Sequence, residues 1–358
     1  MDIPHPINAT GSRNRNHSLD VFRLISVFVI FLFHSEMHLS CNYYIFENFI
    51  KMGAIFMTAF FMLSGVVLSI SGNNCDLDGV SIRKFLLKRI IRIMPIYLIL
   101  KMPVSLIYLN KSMVEYITFL PVETLDIQSF FSSLFNVSHT GGSWFVSCLL
   151  FCYVFFPYLQ RLISGMSARG RMGLCGLLVF ILLWSPFVVH VFKTNSIYEN
   201  PIFRMMEFFI GVILVSLVKD GVFNRRIFTS NLSLFVGIIA LVSLVSLVYS
   251  FSGIRNYMLY SWISLPIFML FVVYCMHCKL QFNGFSGRLL NYLCEISYVF
   301  FLIQYPVWII TRFIVKTLSM DSNMALIGIS TAVCFMLSVA VHETLETPAV
   351  NFLKKRLL

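Results

Sequence analysis

The chain has 358 residues, of which 58% are hydrophobic and only 12% charged, and its mean hydropathy is +0.83. A soluble domain carries about 25% charged residues, so a water-soluble enzyme is excluded and a polytopic membrane protein is indicated. The net charge of +11 is divided among short loops rather than gathered on one face, which fits membrane topology and not nucleic-acid binding.

In chain order, a polar stretch over 1–18 reads as a cytoplasmic tail before a retained anchor, not as a signal peptide. Ten apolar segments of about 20 residues follow, at 19–38, 50–70, 93–110, 144–163, 173–192, 201–218, 231–251, 257–276, 292–314 and 323–342. The expected fold class is therefore all-α, a helical membrane bundle over 19–342, followed by a basic tail over 343–358. With the N terminus in the cytoplasm, the cytoplasmic segments collect 18 of the 27 lysines and arginines, the opposite side five, and the spans four. This asymmetry is the positive-inside pattern, and an even number of spans returns the C terminus to the cytoplasm.

The first span carries the most informative pair. Arg23 and His34 lie eleven residues apart, just over three helical turns, so both project from one face about 16 Å apart along the axis. An ionisable side chain within a span faces protein or a wet cavity, because hydrocarbon penalises its charge. Asp20 precedes Arg23 by three residues and can orient it. Glu36 lies on another face from His34 and is a poor partner for it.

Further along, Lys84, Lys88 and Arg92 form an i, i+4 stripe with Arg89 beside it. Such a segment reads as an interfacial helix before the chain turns inward at Ile93-Met94-Pro95, and attraction to anionic lipid accounts for it equally well. The external loop 111–143 is long enough to hold acceptor-specific structure or to be solvated padding. Trp144 opens the fourth span and is readable as an interfacial belt residue. Arg204 and Glu207, i, i+3 at the outer start of the sixth span, are either a structural ion pair or contacts to an acceptor. Cys275 and Cys278 flank His277, but without a second pair the preferred reading is helix-closing thiols, with no metal site expected. Ser64-Gly65 permits close helix approach or a local break beside Arg23. Ser297 and Tyr298, near the inner end of the ninth span, either line a channel or pack helices.

These features resemble one family. Leu19-Asp20-Val21-Phe22-Arg23 followed by His34 is similar to the R-x10-H motif of the integral-membrane acyltransferase family 3. Gly53, Phe60 to Gly65, Arg89-Ile90-Ile91-Arg92 with Pro95 and Tyr97, Trp144 with Tyr153 and Pro157, Arg204 to Gly211, Ile296-Ser297-Tyr298 and Glu346-Thr347-Pro348 follow in the family's order. Two departures stand out. Where many relatives open the fourth span with Trp-Ser-Leu-Ser-Val-Glu-Glu, this chain places Leu149 and Leu150 at the acidic positions. Where a histidine often precedes the proline of the ninth span, Gln304 and Tyr305 precede Pro306.

The resemblance implies acyl transfer, usually of acetyl from cytosolic acetyl-CoA, to a hydroxyl of an extracytoplasmic or lipid-linked glycan, with lipopolysaccharide O-antigen the expected acceptor and a bacterial inner membrane the expected location. Acetyl-CoA enters as co-substrate, and no bound cofactor is expected. In that reading His34 is the general base, with Arg23 and Asp20 beside it in the catalytic set; Arg89, Arg92, Ser64 and Tyr298 hold the donor, and Trp144, Arg204 and Glu207 face the acceptor. Exopolysaccharide, peptidoglycan and small metabolites remain open as acceptors. A carrier or flippase also fits polar spans with a basic inner rim, although paired halves with matching interrupted helices are not seen. Membrane lipids are the remaining expected partners.

Overall fold

The computed structural model describes residues 16–71, 78–108, 121, 122, 125, 127–130, 143–192, 198–252, 257–278, 280–319 and 322–358. All regular structure among them is helical. The long helices are α1 (His17–Leu39), α2 (Phe56–Ile70), α3 (Gly79–Tyr108), α4 (Ser143–Gly165), α5 (Ala168–Phe192), α6 (Pro201–Lys219), α7 (Asn231–Ser252), α8 (Tyr257–His277), α9 (Gly284–Leu302), α10 (Gln304–Thr317) and α11 (Asn323–Val341). A π-turn (His342–Glu346) then leads into α12 (Thr347–Leu357). Among the described residues seven helical stretches are long and apolar enough to cross a membrane, eight if α9 and α10 count as one bent span. Of the ten expected, the segments at 93–110 and 257–276 fall on α3 and α8, where the side chains of 101–108 and 257–263 lie outside the described residues. The loop 111–143 and the tail 1–15 lie almost wholly outside them too.

Burial separates two kinds of helix. α2 and α6 occupy the middle: Phe61, Met62, Val66, Phe208, Ile210, Val212 and Ile213 have no exposed surface. α5 and α7 instead display Phe180, Trp184, Phe187, Leu232, Phe235 and Val236. Apolar surface this continuous on the outside of a helix is what a lipid solvent requires and water would penalise.

Glycine sets the central crossing. A Cβ on Gly65 would sit 2.1 Å from the Phe208 carbonyl oxygen, and one on Gly211 would sit 2.1 Å from that of Met62. The two backbones therefore meet with no room for a methyl, as small residues allow in membrane helix pairs. Ser64-Gly65 thus serves close approach, and α2 continues unbroken to Ile70.

Two expectations are corrected. The ninth span is not one rod, because α9 and α10 meet at Ile303 with a bend of 77°. Pro306 has no N–H and its ring would collide with the carbonyl four residues back, so the helix stops and restarts with the proline in the first turn of α10. Conversely, the basic stripe over 84–92 is no separate interfacial element before a turn. It is the first part of α3, which runs through Pro95 without interruption.

Gly211→Ala should lower the thermal midpoint of the detergent-solubilised protein by several degrees, since overpacking typically costs about 1–3 kcal/mol. A melt monitored by intrinsic fluorescence checks it, and an unchanged midpoint would mean that α2 and α6 separate freely.

Candidate active site

α1 is fixed at its inner end before any chemistry is considered. Asn16 caps it, accepting from the Ser18 and Leu19 amides at 3.0 and 3.4 Å, and its Nδ2 donates to the Cys275 carbonyl at 2.9 Å. The Ser18 hydroxyl donates to the carbonyl of Cys278. The backbone carbonyls of the C-x-x-C pair, not their thiols, thus hold the start of α1. Leu19, Phe22, Val27, Ile30 and Phe33 are buried, and this packing fixes the rotation of the helix about its axis.

That rotation turns Arg23 inward. Its Nη2 donates to the Cys294 carbonyl on α9 at 3.3 Å and lies 3.8 Å from Asp20 Oδ1, while its Nε has no hydrogen-bond partner. The guanidinium opens on a cavity of about 160 Å³ that is also lined by Asp20, Ser64, Arg89, Arg92 and Tyr298. Six residues singled out from sequence, on four helices, thereby share one space. Three guanidinium groups face one carboxylate there, and Leu149, at a position where relatives often carry an acid, lines the wall as well. The cavity therefore favours an anion. Arg89 is half-buried, with its guanidinium 5.4 Å from the Phe85 ring centre and 6.0 Å from that of Tyr153. The Ser64 hydroxyl donates to the Phe60 carbonyl at 2.8 Å. Tyr298 both lines the cavity and braces it, its hydroxyl donating to the Ile93 carbonyl at 3.1 Å.

His34 does not line this cavity. Its Nδ1 lies 2.5 Å from Gln304 Oε1 at the start of α10. An amide oxygen only accepts, so Nδ1 carries the proton and Nε2 presents the lone pair. Phe60, Phe145 and Phe301, from α2, α4 and α9, form an aromatic cluster. Their centroids are 6.0 Å (Phe60–Phe145), 6.4 Å (Phe60–Phe301) and 5.2 Å (Phe145–Phe301) apart. All three line the cavity, and Phe301 lies three residues before Gln304. The cavity that holds Arg23 thus includes this aromatic cluster and does not include His34.

Sequence reasoning missed Gln304 as a partner. It registered the residue as a departure from the family, although a polar side chain two positions before a proline inside an apolar span was the available signal.

Trp144, Arg204 and Glu207 do come together, but inside the protein. Arg204 Nη1 donates to Glu207 Oε2 at 2.7 Å and Oε1 at 3.0 Å, and its Nε donates to the Tyr198 carbonyl at 2.6 Å. Thr58 donates to Glu207 Oε1 at 2.8 Å. The rings of Tyr198, Trp144 and Phe61 surround the guanidinium at 4.4, 5.3 and 5.5 Å. Arg204 is 2% exposed and Glu207 4%. The geometry favours the alternative, an ion pair bracing α2, α4 and α6, because both side chains are spent on one another and on Tyr198 and Thr58.

The comparison with protein families decides the class. The acyltransferase family 3 model, an acyltransferase domain, matches residues 16–343, nearly the whole chain. The chain belongs to that family. Neither the curated proteins nor the solved structures compared with it include a match. Family membership makes the protein a multi-pass membrane acyltransferase and removes the carrier as a rival.

Arg204→Met should strip most folded protein from membranes, because a buried carboxylate left alone costs about 3–5 kcal/mol. Arg204→Met/Glu207→Leu should recover much of it. Quantifying folded protein by size-exclusion chromatography distinguishes this brace from an acceptor contact, for which the double variant would be folded no better than the single one.

Proposed function

We propose that this acyltransferase is a bacterial inner-membrane O-acetyltransferase that moves acetyl from cytosolic acetyl-CoA to a hydroxyl of an extracytoplasmic glycan, with lipopolysaccharide O-antigen as the acceptor. One observation carries the reading. A single helix offers a cation-lined cavity at one end, through Arg23 with Arg89 and Arg92, and a neutral imidazole with a free Nε2 lone pair three turns further along.

The phosphates of acetyl-CoA sit against Arg89, Arg92 and Arg23, whose forked N–H groups suit phosphate oxygens. Asp20 keeps Arg23 aimed at the cavity. The pantetheine arm runs along α1 and reaches His34 once Phe60, Phe145 and Phe301 turn aside. The acceptor hydroxyl gives its proton to His34 Nε2 as its oxygen attacks the thioester carbonyl. A C–O bond forms, the C–S bond breaks, and the departing CoA thiolate takes the proton back from the imidazolium. Gln304, accepting from Nδ1–H, keeps Nε2 unprotonated between turnovers and steadies the imidazolium during one. A covalent acetyl-histidine would add a step that no group in the site calls for. The O-antigen assignment rests on the family resemblance and on the outward position of His34, with no residue that reads a particular sugar carbon.

His34→Ala should reduce transfer from radiolabelled acetyl-CoA into envelope polysaccharide by about 10²–10⁴-fold, measured in membranes with protein levels matched by immunoblot. Full transfer in that variant would remove His34 from the chemistry. Arg89→Ala and Arg92→Ala should raise KM for acetyl-CoA about tenfold or more while leaving KM for the polysaccharide in place, since charge-assisted bonds to phosphate are worth about 1.5–3 kcal/mol. An effect confined to the polysaccharide would reverse the orientation assigned here.

A further inference from the structure

Beyond the donor cavity and His34, the outer half of the bent span holds polar groups that the mechanism does not use. Gln304 Nε2, Trp308 Nε1 and Thr311 Oγ1 are all buried without a hydrogen-bond partner. The residues are 2%, 1% and 0% exposed, and all three belong to the 14-residue helix α10. Positions 304, 308 and 311 fall within about 60° of one another around a helix and span roughly 10.5 Å along it. They form one ladder rather than three accidents.

A buried N–H or O–H left unpaired costs more than a made hydrogen bond returns, and native proteins keep few of them. Here three share a face, and the first belongs to the amide that already holds His34. The ladder runs along α1. Trp308 lies against Phe31 and His38, with ring centres 5.1 and 6.2 Å apart, and Tyr305 is 5.0 Å from His38. The nearby cation, Arg312, is exposed and donates to the His38 carbonyl. On α11, the Ser330 hydroxyl is spent on the Ile327 carbonyl at 3.0 Å. What remains is two N–H donors and a hydroxyl, uncharged, beside flat rings.

We propose that this face of α10 is the acceptor subsite, taking a neutral, hydroxyl-rich saccharide whose ring oxygens and hydroxyls satisfy Gln304, Trp308 and Thr311 in turn and whose leading hydroxyl is delivered to His34. The assignment rests on the reading of His34 as the base. Its chemistry follows from the ladder. The rungs stand about 6 and 4.5 Å apart along the axis, the scale on which a sugar ring carries its oxygens, and indole, imidazole and phenol faces suit the apolar side of such a ring. The three buried groups themselves carry no charge to pair with an anionic acceptor. Because the groups are enclosed in this state, the ligand enters as α10 moves away from α1, and the break at Ile303 makes α10 a separate rod from the α9 segment that lines the donor cavity.

Thr311→Val removes the O–H while keeping shape, and Trp308→Phe removes the N–H together with part of the buried ring, so substrate-resolved kinetics separate a binding role from a packing role. In membranes supplied with radiolabelled acetyl-CoA and the host's envelope polysaccharide, the double variant should show KM for the polysaccharide raised about tenfold, from two net hydrogen bonds. KM for acetyl-CoA should be unchanged, and Thr311→Val alone should leave the thermal midpoint in detergent unchanged or higher. Thr311→Ser, which keeps the hydroxyl, should stay near wild type. If the double variant transfers with wild-type kcat/KM, the groups are merely buried and the subsite is overturned. If both KM values rise together, or protein is lost from the membrane, the role is packing and the subsite is equally overturned. Absence of label from polysaccharide with the wild-type protein would instead overturn the function proposed above, and with it the ligand of this subsite.

Discussion

An arginine and a histidine on one apolar helix can be tolerated in a membrane only if protein satisfies both, and the arrangement around α1 follows from that demand. The helix that answers it is the bent α9–α10 pair. α9 brings the Cys294 carbonyl to Arg23 at 3.3 Å, and past the break α10 brings the Gln304 amide to His34 at 2.5 Å. Ten residues of one chain segment thus shadow eleven of the other. Without the break forced by Pro306 the second contact would depend on a straight helix presenting 294 and 304 on the same side, and ten residues on an ideal helix fall nearly 80° short of whole turns.

The same pair explains why the site is divided. Phe301 ends the stretch of α9 that lines the arginine cavity, together with Phe60 and Phe145, and His34 is not part of that lining. A membrane enzyme handling a reactive thioester on one side and hydroxyls on the other gains from such a division, because an open channel would leak ions and admit water to the acyl group. Rigidity elsewhere supports it. The Gly65–Gly211 crossing and the enclosed Arg204–Glu207 pair lock α2, α4 and α6 together.

Much of the cavity was legible in the sequence because its logic is local. The eleven-residue interval from Arg23 to His34 and the i, i+3 spacing of Asp20 and Arg23 follow from helical geometry, and the stripe of Lys84, Lys88 and Arg92 with Arg89 beside it marks a basic helix by charge alone. Their convergence was legible only through the resemblance to acyltransferase family 3, since nothing in periodicity places α3 beside α1. Three things were not legible. The partner of His34 lies 270 residues away, and Gln304 was visible only as a polar residue near a proline. Pro95 and Pro306 look alike in an apolar run, yet α3 absorbs the first and the span breaks at the second, a difference set by neighbours. Arg204 and Glu207 read equally as brace or as contact, because burial is a property of the whole bundle and not of their spacing.

The account turns on one helix carrying a donor from the arginines to the imidazole. A cryo-EM structure of the protein in nanodiscs with a thioether analogue of acetyl-CoA tests this most directly. The phosphates should lie against Arg23, Arg89 and Arg92, the rings of Phe60, Phe145 and Phe301 should be displaced, and the acyl carbon should stand beside His34 Nε2. An analogue bound elsewhere, or one whose acyl end stops on the arginine side of Phe301, would contradict it.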